Sequence, residues 1–546
     1  MNLEKKWKIL FAIALGTIMV PINASIVNVS LPSITAFFST NIVTSEWVIT
    51  AYLINLLGFV LLFGRLGDSY GHEKVYMTGL VSFIITSVLC SLAPSIELLI
   101  AFRGLQGIAA ALIISVSMGI VKGAFPKGQT GKSLGIYAVA IAAGLAIGPI
   151  LGGIMQTFFG WQTIFLINAP AGILSLVLCY NILDRMEPES VKLDIMGAFL
   201  QYICIFATVY VLNYAQNFRI GTIEIIASGT ALSTFILFIW NEKRVDSPLL
   251  DIGLFKNRTF TAFNLSLFFN YISMYMILFI MPFYLQKVLR FDPALTGIIL
   301  TLNPVIMMIF APLSGTLADR IGSRKPALLG ALISATALYS MTYLTMFSSI
   351  FDVLWRLALL GIGAAMFQAP NNRAIMHVIP DKKKGLASSI IVTMRNLGMV
   401  FGVCIAGLLL HTTISSSLLE QGTLYNIAAS SFTEGMHLIM FLGAFLSIII
   451  FLLSPVGVYK KKIKETKEII AELEIIPTSQ EVTKVSKEII EASPFLNNFK
   501  ELIRLYKLSR CSKWLINSSH LLYKCKEILK EHYEELGLMS FNKENK

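Results

Sequence analysis

Fourteen long apolar runs joined mostly by short polar connections dominate this chain of 546 residues. They lie near 9–30, 46–64, 75–94, 98–121, 133–156, 162–183, 195–214, 222–240, 260–286, 295–317, 326–347, 350–372, 386–410 and 435–455. Crossing about 30 Å of hydrocarbon takes roughly 20 helical residues at 1.5 Å each, and these runs have that length. Lipid offers no water to an unpaired backbone, so such a run must close its own hydrogen bonds as a helix. With 55% hydrophobic and 14% charged residues and a mean hydropathy of +0.72, the chain holds more apolar surface than a soluble domain can hide. The expected fold class is all-α integral membrane. The first run follows Lys5, Lys6 and Lys8 and so begins like a secretion signal. It continues through Pro21 to Val29, too far for a signal's apolar segment, and is read as an uncleaved span.

Charge sets the orientation. An even number of spans puts both termini on one side. The connections on that side hold 21 Lys/Arg, among them Lys5, Lys6, Lys8, Arg65, Lys74, Lys122, Arg185, Lys243, Arg320 and Lys382 to Lys384. The opposite connections hold three: Arg219, Lys287 and Arg290. Basic residues stay inside, so both termini are expected in the cytoplasm of a multi-pass protein of the cell membrane. The same distribution explains the formal charge of +12. Residues after Val458 hold 17 Lys/Arg and 13 Asp/Glu, and the remaining excess is spread over short turns. That is a topology signal and not a nucleic-acid face.

Six cysteines make no framework: Cys90, Cys179, Cys204 and Cys404 sit in apolar runs, Cys511 and Cys525 in the polar tail. No phosphate-loop, dinucleotide, zinc or catalytic-triad pattern occurs, so neither an enzyme nor a bound cofactor or metal is expected. The connection at about 411–434 is Ser/Thr-rich and reads either as a small amphipathic hairpin or as a solvated loop. After Val458 the sequence turns Lys/Glu-rich. Trp514, Leu515, Leu521, Leu522 and Tyr523 suggest an amphipathic stretch on the inner leaflet or the protein's base, against a solvated appendage.

An internal repeat organises the spans. Gly64-Arg65-Leu66-Gly67-Asp68-Ser69-Tyr70-Gly71 follows the second span, and Gly315-Thr316-Leu317-Ala318-Asp319-Arg320-Ile321-Gly322-Ser323-Arg324-Lys325 follows the tenth. Asp68 and Asp319 are 251 residues apart, on the same side of the membrane. Two similar halves related by an axis along the membrane normal mark a parallel-repeat transporter. The motif resembles the loop G-x-L-a-D-r-x-G-r-k of the major facilitator superfamily. Further stretches follow its pattern. Arg103-Gly104-Leu105-Gln106-Gly107 is similar to R-x-x-q-G, and Gly144 to Gly153 matches the antiporter-associated g-x-x-x-G-P-x-x-G-G in full. Trp47 to Tyr52, Ile164 to Pro170, Pro248 to Asp251, Pro370 to Arg373 and Arg395 to Gly398 resemble the fourteen-span drug:proton antiporters.

The resemblance implies two six-helix bundles, at 1–185 and 246–458, two additional helices at 186–245 between them, and a cytoplasmic tail at 459–546. It implies a secondary active, proton-coupled exporter of amphipathic small molecules, working by alternating access as a monomer. Asp68 and Asp319 would latch the cytoplasmic side, less firmly at the first copy, where Ser69, His72 and Glu73 replace basic residues. Gly148 and Pro149 would belong to a close-packed, kinked gate helix.

One departure bears on coupling. Where that branch carries an acid in its first span, this chain has Asn23, which hydrogen-bonds but does not titrate near neutral pH. No acid lies deep in any expected span, leaving Glu46, Glu97, Asp352 or a latch Asp as proton carriers. Three arginines are deep instead: Arg103, Arg356 and Arg395. Asp352 precedes Arg356 by four residues and should pair with it. Arg103 lies roughly 9 Å below the outer edge of its span, at the depth of Asn23. Its charge is met either by carbonyls and water or by an anionic group on cargo. Cargo contacts are expected from Tyr52, Asn23 and one face of the ninth span, Asn264, Phe268, Tyr271 and Tyr275, unless these only pack. An exporter of an endogenous lipid or anionic metabolite, and a non-transporting sensor, remain alternative readings.

Overall fold

A computed structural model describes residues 3–126, 129–183, 193–214, 221–245, 248–380, 384–413 and 425–453. The charged tail and residues 414–424 of the long connection lie outside them, and so does the tail's amphipathic reading; residues 425–434 of that connection already belong to the last helix. Every expected span is helical. The elements are α1 (Leu3–Phe37), α2 (Ile42–Tyr70), α3 (His72–Ser91), α4 (Ile96–Ala124), α5 (Thr130–Phe159), the short α6 (Thr163–Leu166) with α7 (Asn168–Ile182), α8 (Ile195–Tyr214), α9 (Thr222–Glu242), α10 (Arg258–Phe283), α11 (Pro293–Ile321), α12 (Arg324–Met341), α13 (Ile350–His377), α14 (Lys384–Thr413) and α15 (Tyr425–Leu453). Among the described residues thirteen helices are long and apolar enough to cross a membrane. The remaining expected span is α12, only 18 residues, opening on Arg324 and Lys325 and diluted by Ala, Gly and Ser. Its neighbours α13 and α15 cover it, so it needs less apolar surface of its own.

Local chemistry sets the ends. Asn41 accepts from the Thr44 amide at 2.8 Å, Asp292 from Leu295 at 2.6 Å ahead of Pro293, and Ser349 forms a capping box with Asp352. Gly71 and Gly322, again 251 residues apart, close the two motif turns at φ +98° and +81°, a backbone region that a side chain would strain.

The two halves repeat each other's packing. In the first bundle α1 packs on α5 and α7, α2 on α4, and α3 on α4 and α7. In the second α10 packs on α14 and α15, α11 on α13, and α12 on α13 and α15. Helices α8 and α9 pair with each other, and α8 leans on both α2 and α14.

Between the bundles the contacts are uneven. Take the face carrying the Gly71 and Gly322 turns as proximal and the opposite face as distal. At the distal end of α5, Gly153 abuts the Pro293 carbonyl of α11, and Gly297 abuts the Pro149 carbonyl. Gln286, just beyond α10, donates to the Val29 carbonyl of α1 at 2.7 Å, and Glu46 of α2 lies against Gly407 of α14. At the proximal ends of the same two helices, Gly135 and Gly315 have nothing within 4 Å of where a Cβ would stand. Helices α5 and α11 therefore press together at their distal ends, while these two proximal glycines face open space.

Candidate functional site

Arg103 is 1% exposed, and its neighbours account for that burial. Its Nε donates to the Val48 carbonyl at 2.9 Å, and its Nη1 donates to Gln106 Oε1 at 2.6 Å and to Asn23 Oδ1. Gln106 in turn donates to Ser87 Oγ at 2.8 Å. The guanidinium carbon sits 4.2 Å above the Tyr52 ring and 5.7 Å from that of Phe165. A central Arg costs about 2.5–3.5 kcal/mol on insertion scales. Here carbonyl dipoles and ring faces meet it without a carboxylate. Asn23 and Tyr52, both 0% exposed, are therefore parts of this arginine's cage, and neither they nor Arg103 offers surface to cargo in this conformation.

The gate helix uses two faces. Gly144, Gly148 and Gly152 lie against Ile18, Ser25 and Ile26 of α1, inside their own bundle. Pro149 and Gly153 face α11 across the seam. The helix runs unbroken from Thr130 to Phe159 through Pro149.

On α10 the four expected positions divide. Asn264 is fully buried, with its amide donating to the Phe260 carbonyl of its own helix at 2.8 Å. Phe268 makes an edge contact with Phe401 of α14, centroids 5.7 Å apart. Tyr271 donates to Gln368 Oε1 of α13 at 3.2 Å, and Gln368 donates to Asn270 at 3.3 Å. Tyr271 and Tyr275 both lie in the field of Arg395, which the Gly398 and Gly402 contacts of α14 bring close. Tyr137 of α5, bonded to Ser117 at 2.5 Å, feels the same charge from the other bundle. Arg395 is half-buried, and its Nε is buried without a hydrogen-bond partner. Gln368 and Tyr137 were not singled out from sequence. A glutamine in the apolar middle of a span was the available signal for the first; nothing marked the second.

Arg356 behaves as its spacing predicts. Nη1 lies 3.4 Å from Asp352 Oδ1 and donates to the Asp352 carbonyl at 2.6 Å, and Nε donates to Ser340. Of the proton-carrier candidates, Glu97 is exposed and Asp352 is engaged in its cap. Glu46 alone is 0% exposed, against Gly407 and the Cys404 thiol of α14, with no other hydrogen-bond partner for its carboxylate oxygens among the described residues. The motif acids make local pairs: Asp319 with Arg373 of α13 at 2.7 Å, and Asp68 with His72 across the Gly71 turn at 2.9 Å. Each pair stays within its own bundle, and Arg65, donating to the Pro248 carbonyl at 3.3 Å, ties α2 to the segment between the bundles.

Comparison with known proteins agrees with this architecture. A bacterial homologue of the human lysosomal transporter Spinster, solved in an inward-facing, unoccupied conformation, superposes with a TM-score of 0.62 at 15% identity, covering 84% of this chain and 98% of that one. In sequence, the riboflavin transporter RibZ of Clostridioides difficile is 32% identical over 79% of this chain and 92% of its own length. The multidrug resistance protein Stp of Mycobacterium tuberculosis is 30% identical over 75% of this chain and 76% of its own. Residues 13–241 and 263–517 match the profile of the Major Facilitator Superfamily. With thirteen membrane-length apolar helices and the shorter α12 among the described residues, a repeated motif turn and a distal seam between two matching bundles, this chain is a membrane transporter belonging to that superfamily.

Proposed function

We propose that this protein is a secondary active exporter of amphipathic small molecules, coupled to proton entry and seated in the cell membrane with both termini in the cytoplasm. The observation that carries this reading is the uneven contact between α5 and α11, tight at Pro149 and Gly297 and open at Gly135 and Gly315. With basic turns inside, the distal face is the outside, so this conformation is sealed outward and opens inward. Alternating access requires such a state and its mirror.

Glu46 is the proton-carrying group of this reading. It enters the membrane about one turn into α2 and is covered by α14 of the other bundle. An unpaired carboxylate there would be costly, so the seam closes over the neutral acid and opens as the acid ionises. The titratable group facing it from α14 is Cys404; Arg103 of α4 is committed to Val48, Asn23 and Gln106. The relative described as a riboflavin transporter, together with Asn23 in place of an acid, favours a second reading in which the cargo is an endogenous metabolite.

The test is uptake of cationic and anionic amphiphiles by proteoliposomes under an imposed pH gradient. Transport should follow the gradient and collapse with a protonophore; transport indifferent to the gradient overturns proton coupling. Glu46→Gln should flatten the pH dependence, and competition by riboflavin would favour the metabolite reading.

A further inference from the structure

We infer that Arg395 anchors the cargo, and that the cargo it takes is an aromatic amphiphile with an oxyanion head, a carboxylate or a phosphate. This rests on the exporter reading and names the substrate class of that site.

Three arginines lie deep in the helices, and two have both Nε and Nη1 engaged by acceptors. Arg103 is caged by Val48, Asn23, Gln106 and Tyr52, and Arg356 by Asp352 and Ser340. Arg395 is different. It sits about 16 Å along α14 from the proximal start, near the middle of the helix. Among the described residues no carboxylate pairs with it. The groups that face it are phenols, Tyr271 and Tyr275 of α10 and Tyr137 of α5. The Tyr271 hydroxyl donates to Gln368 and lies within hydrogen-bond reach of the Arg395 guanidinium. Nε is buried with no acceptor, while the residue as a whole is only half-buried.

A guanidinium in a low-dielectric site presents fixed paired donors, the geometry that carboxylates and phosphates match with two parallel bonds. Of the three, Tyr137 and Tyr275 are themselves buried, and the half-buried Tyr271 adds a flat face for an aromatic body. A cationic head in the same place meets a like charge with no acid to offset it. Tyr137 belongs to the first bundle and is buried there, so a molecule held by Arg395 of the second reaches it only as the bundles part. Its binding is then sensitive to how far the bundles part, which a carrier by alternating access requires.

Binding to the purified full chain in nanodiscs tests this with three probes sharing one ring system: pyrenebutyrate, the neutral pyrenebutanol and the cation pyrenebutyl-trimethylammonium, with empty nanodiscs subtracted. The wild type should bind the anion about 10-fold or more tightly than the cation. Arg395→Gln should remove that preference and leave pyrenebutanol unchanged, and Arg395→Lys should retain most of it. The inference is overturned if the wild type does not prefer the anion, if Arg395→Gln leaves the preference intact, if it weakens anion and alcohol equally, or if Arg395→Lys treats anion and cation alike. The exporter reading fails separately: an anion preference in binding without gradient-driven movement in proteoliposomes sinks export and leaves Arg395 in place. Movement without head-group preference does the reverse.

Discussion

The two bundles have the same skeleton and use their polar residues differently. Both place a deep arginine near the start of the fourth helix of the repeat, Arg103 on α4 and Arg356 on α13, and both turn through a left-handed glycine after the second. In the first bundle the polar groups point inward, and Val48, Asn23 and Gln106 all accept from Arg103. In the second, the charge at Arg395 stands among neutral phenols, and one phenol comes from the opposite bundle. A buried charge whose donors are all answered is part of the scaffold. A buried charge with an unanswered donor is a site with capacity left.

The largest expected effect separates these two arginines. Arg103→Gln removes the donor shared by three acceptors, and orphaning buried acceptors costs about 1–3 kcal/mol each where they find no new partner. We expect a loss of about 2–4 kcal/mol in stability, read as a clear fall in melting temperature of the detergent-solubilised protein. Arg395→Gln should leave the melting temperature where it is. Equal falls for both would erase the contrast and make Arg395 another scaffold residue.

How much of this contrast was legible in the sequence depends on which neighbours decide it. Counting residues from helix ends placed Arg103 and Asn23 at one depth, and their contact followed because both lie in one bundle. The spans themselves followed from hydropathy, with α12 the marginal case because Arg324 and Lys325 open it. Glu46 was read as an end-of-helix group, correct in depth and silent on burial. Whether that end is wet depends on Gly407, which is distant in sequence and belongs to the other bundle. Arg395 was recognised as deep and left unassigned for the same reason, since Tyr137 and Gln368 reach it or its neighbours from other helices. Asn23 and Tyr52 were expected at the cargo site. Their polar and aromatic character had a nearer use on Arg103.

The halves also differ in what meets at the seam, which gives a second test. Gly297 of α11 leaves no room for a side chain, because a Cβ would strike the Pro149 carbonyl of α5. Gly297→Leu should hold the distal seam apart without unfolding either bundle, since the clash is between bundles. Overpacking costs about 1–3 kcal/mol, enough to shift a two-state balance by about 10-fold. Transport should fall by about that factor. Native Cys404 is buried at the seam beside Glu46, so a membrane-impermeant maleimide added outside should label it faster in this variant. Unchanged labelling would place the seam elsewhere.

The smallest effect concerns the two motif acids, where the halves look most alike in sequence. Asp319 pairs with Arg373 of a neighbouring helix at 2.7 Å, with side chains 62% and 43% exposed. Asp68 reaches only His72, one helical turn further along the chain at 2.9 Å. Exposed pairs contribute about 0.2–1 kcal/mol, and a pair joining two helices constrains more of the fold than one spanning a single turn. Asp319→Asn should therefore slow transport by about two- to five-fold, partly masked at high salt because the pair is screened there. Asp68→Asn should have less effect, because its pair spans a single helical turn. Transport rates of the two variants at low and high ionic strength decide the matter. If Asp68→Asn is the more damaging, the first turn serves the other conformation, in which the proximal face closes and Asp68 finds a partner across the bundles.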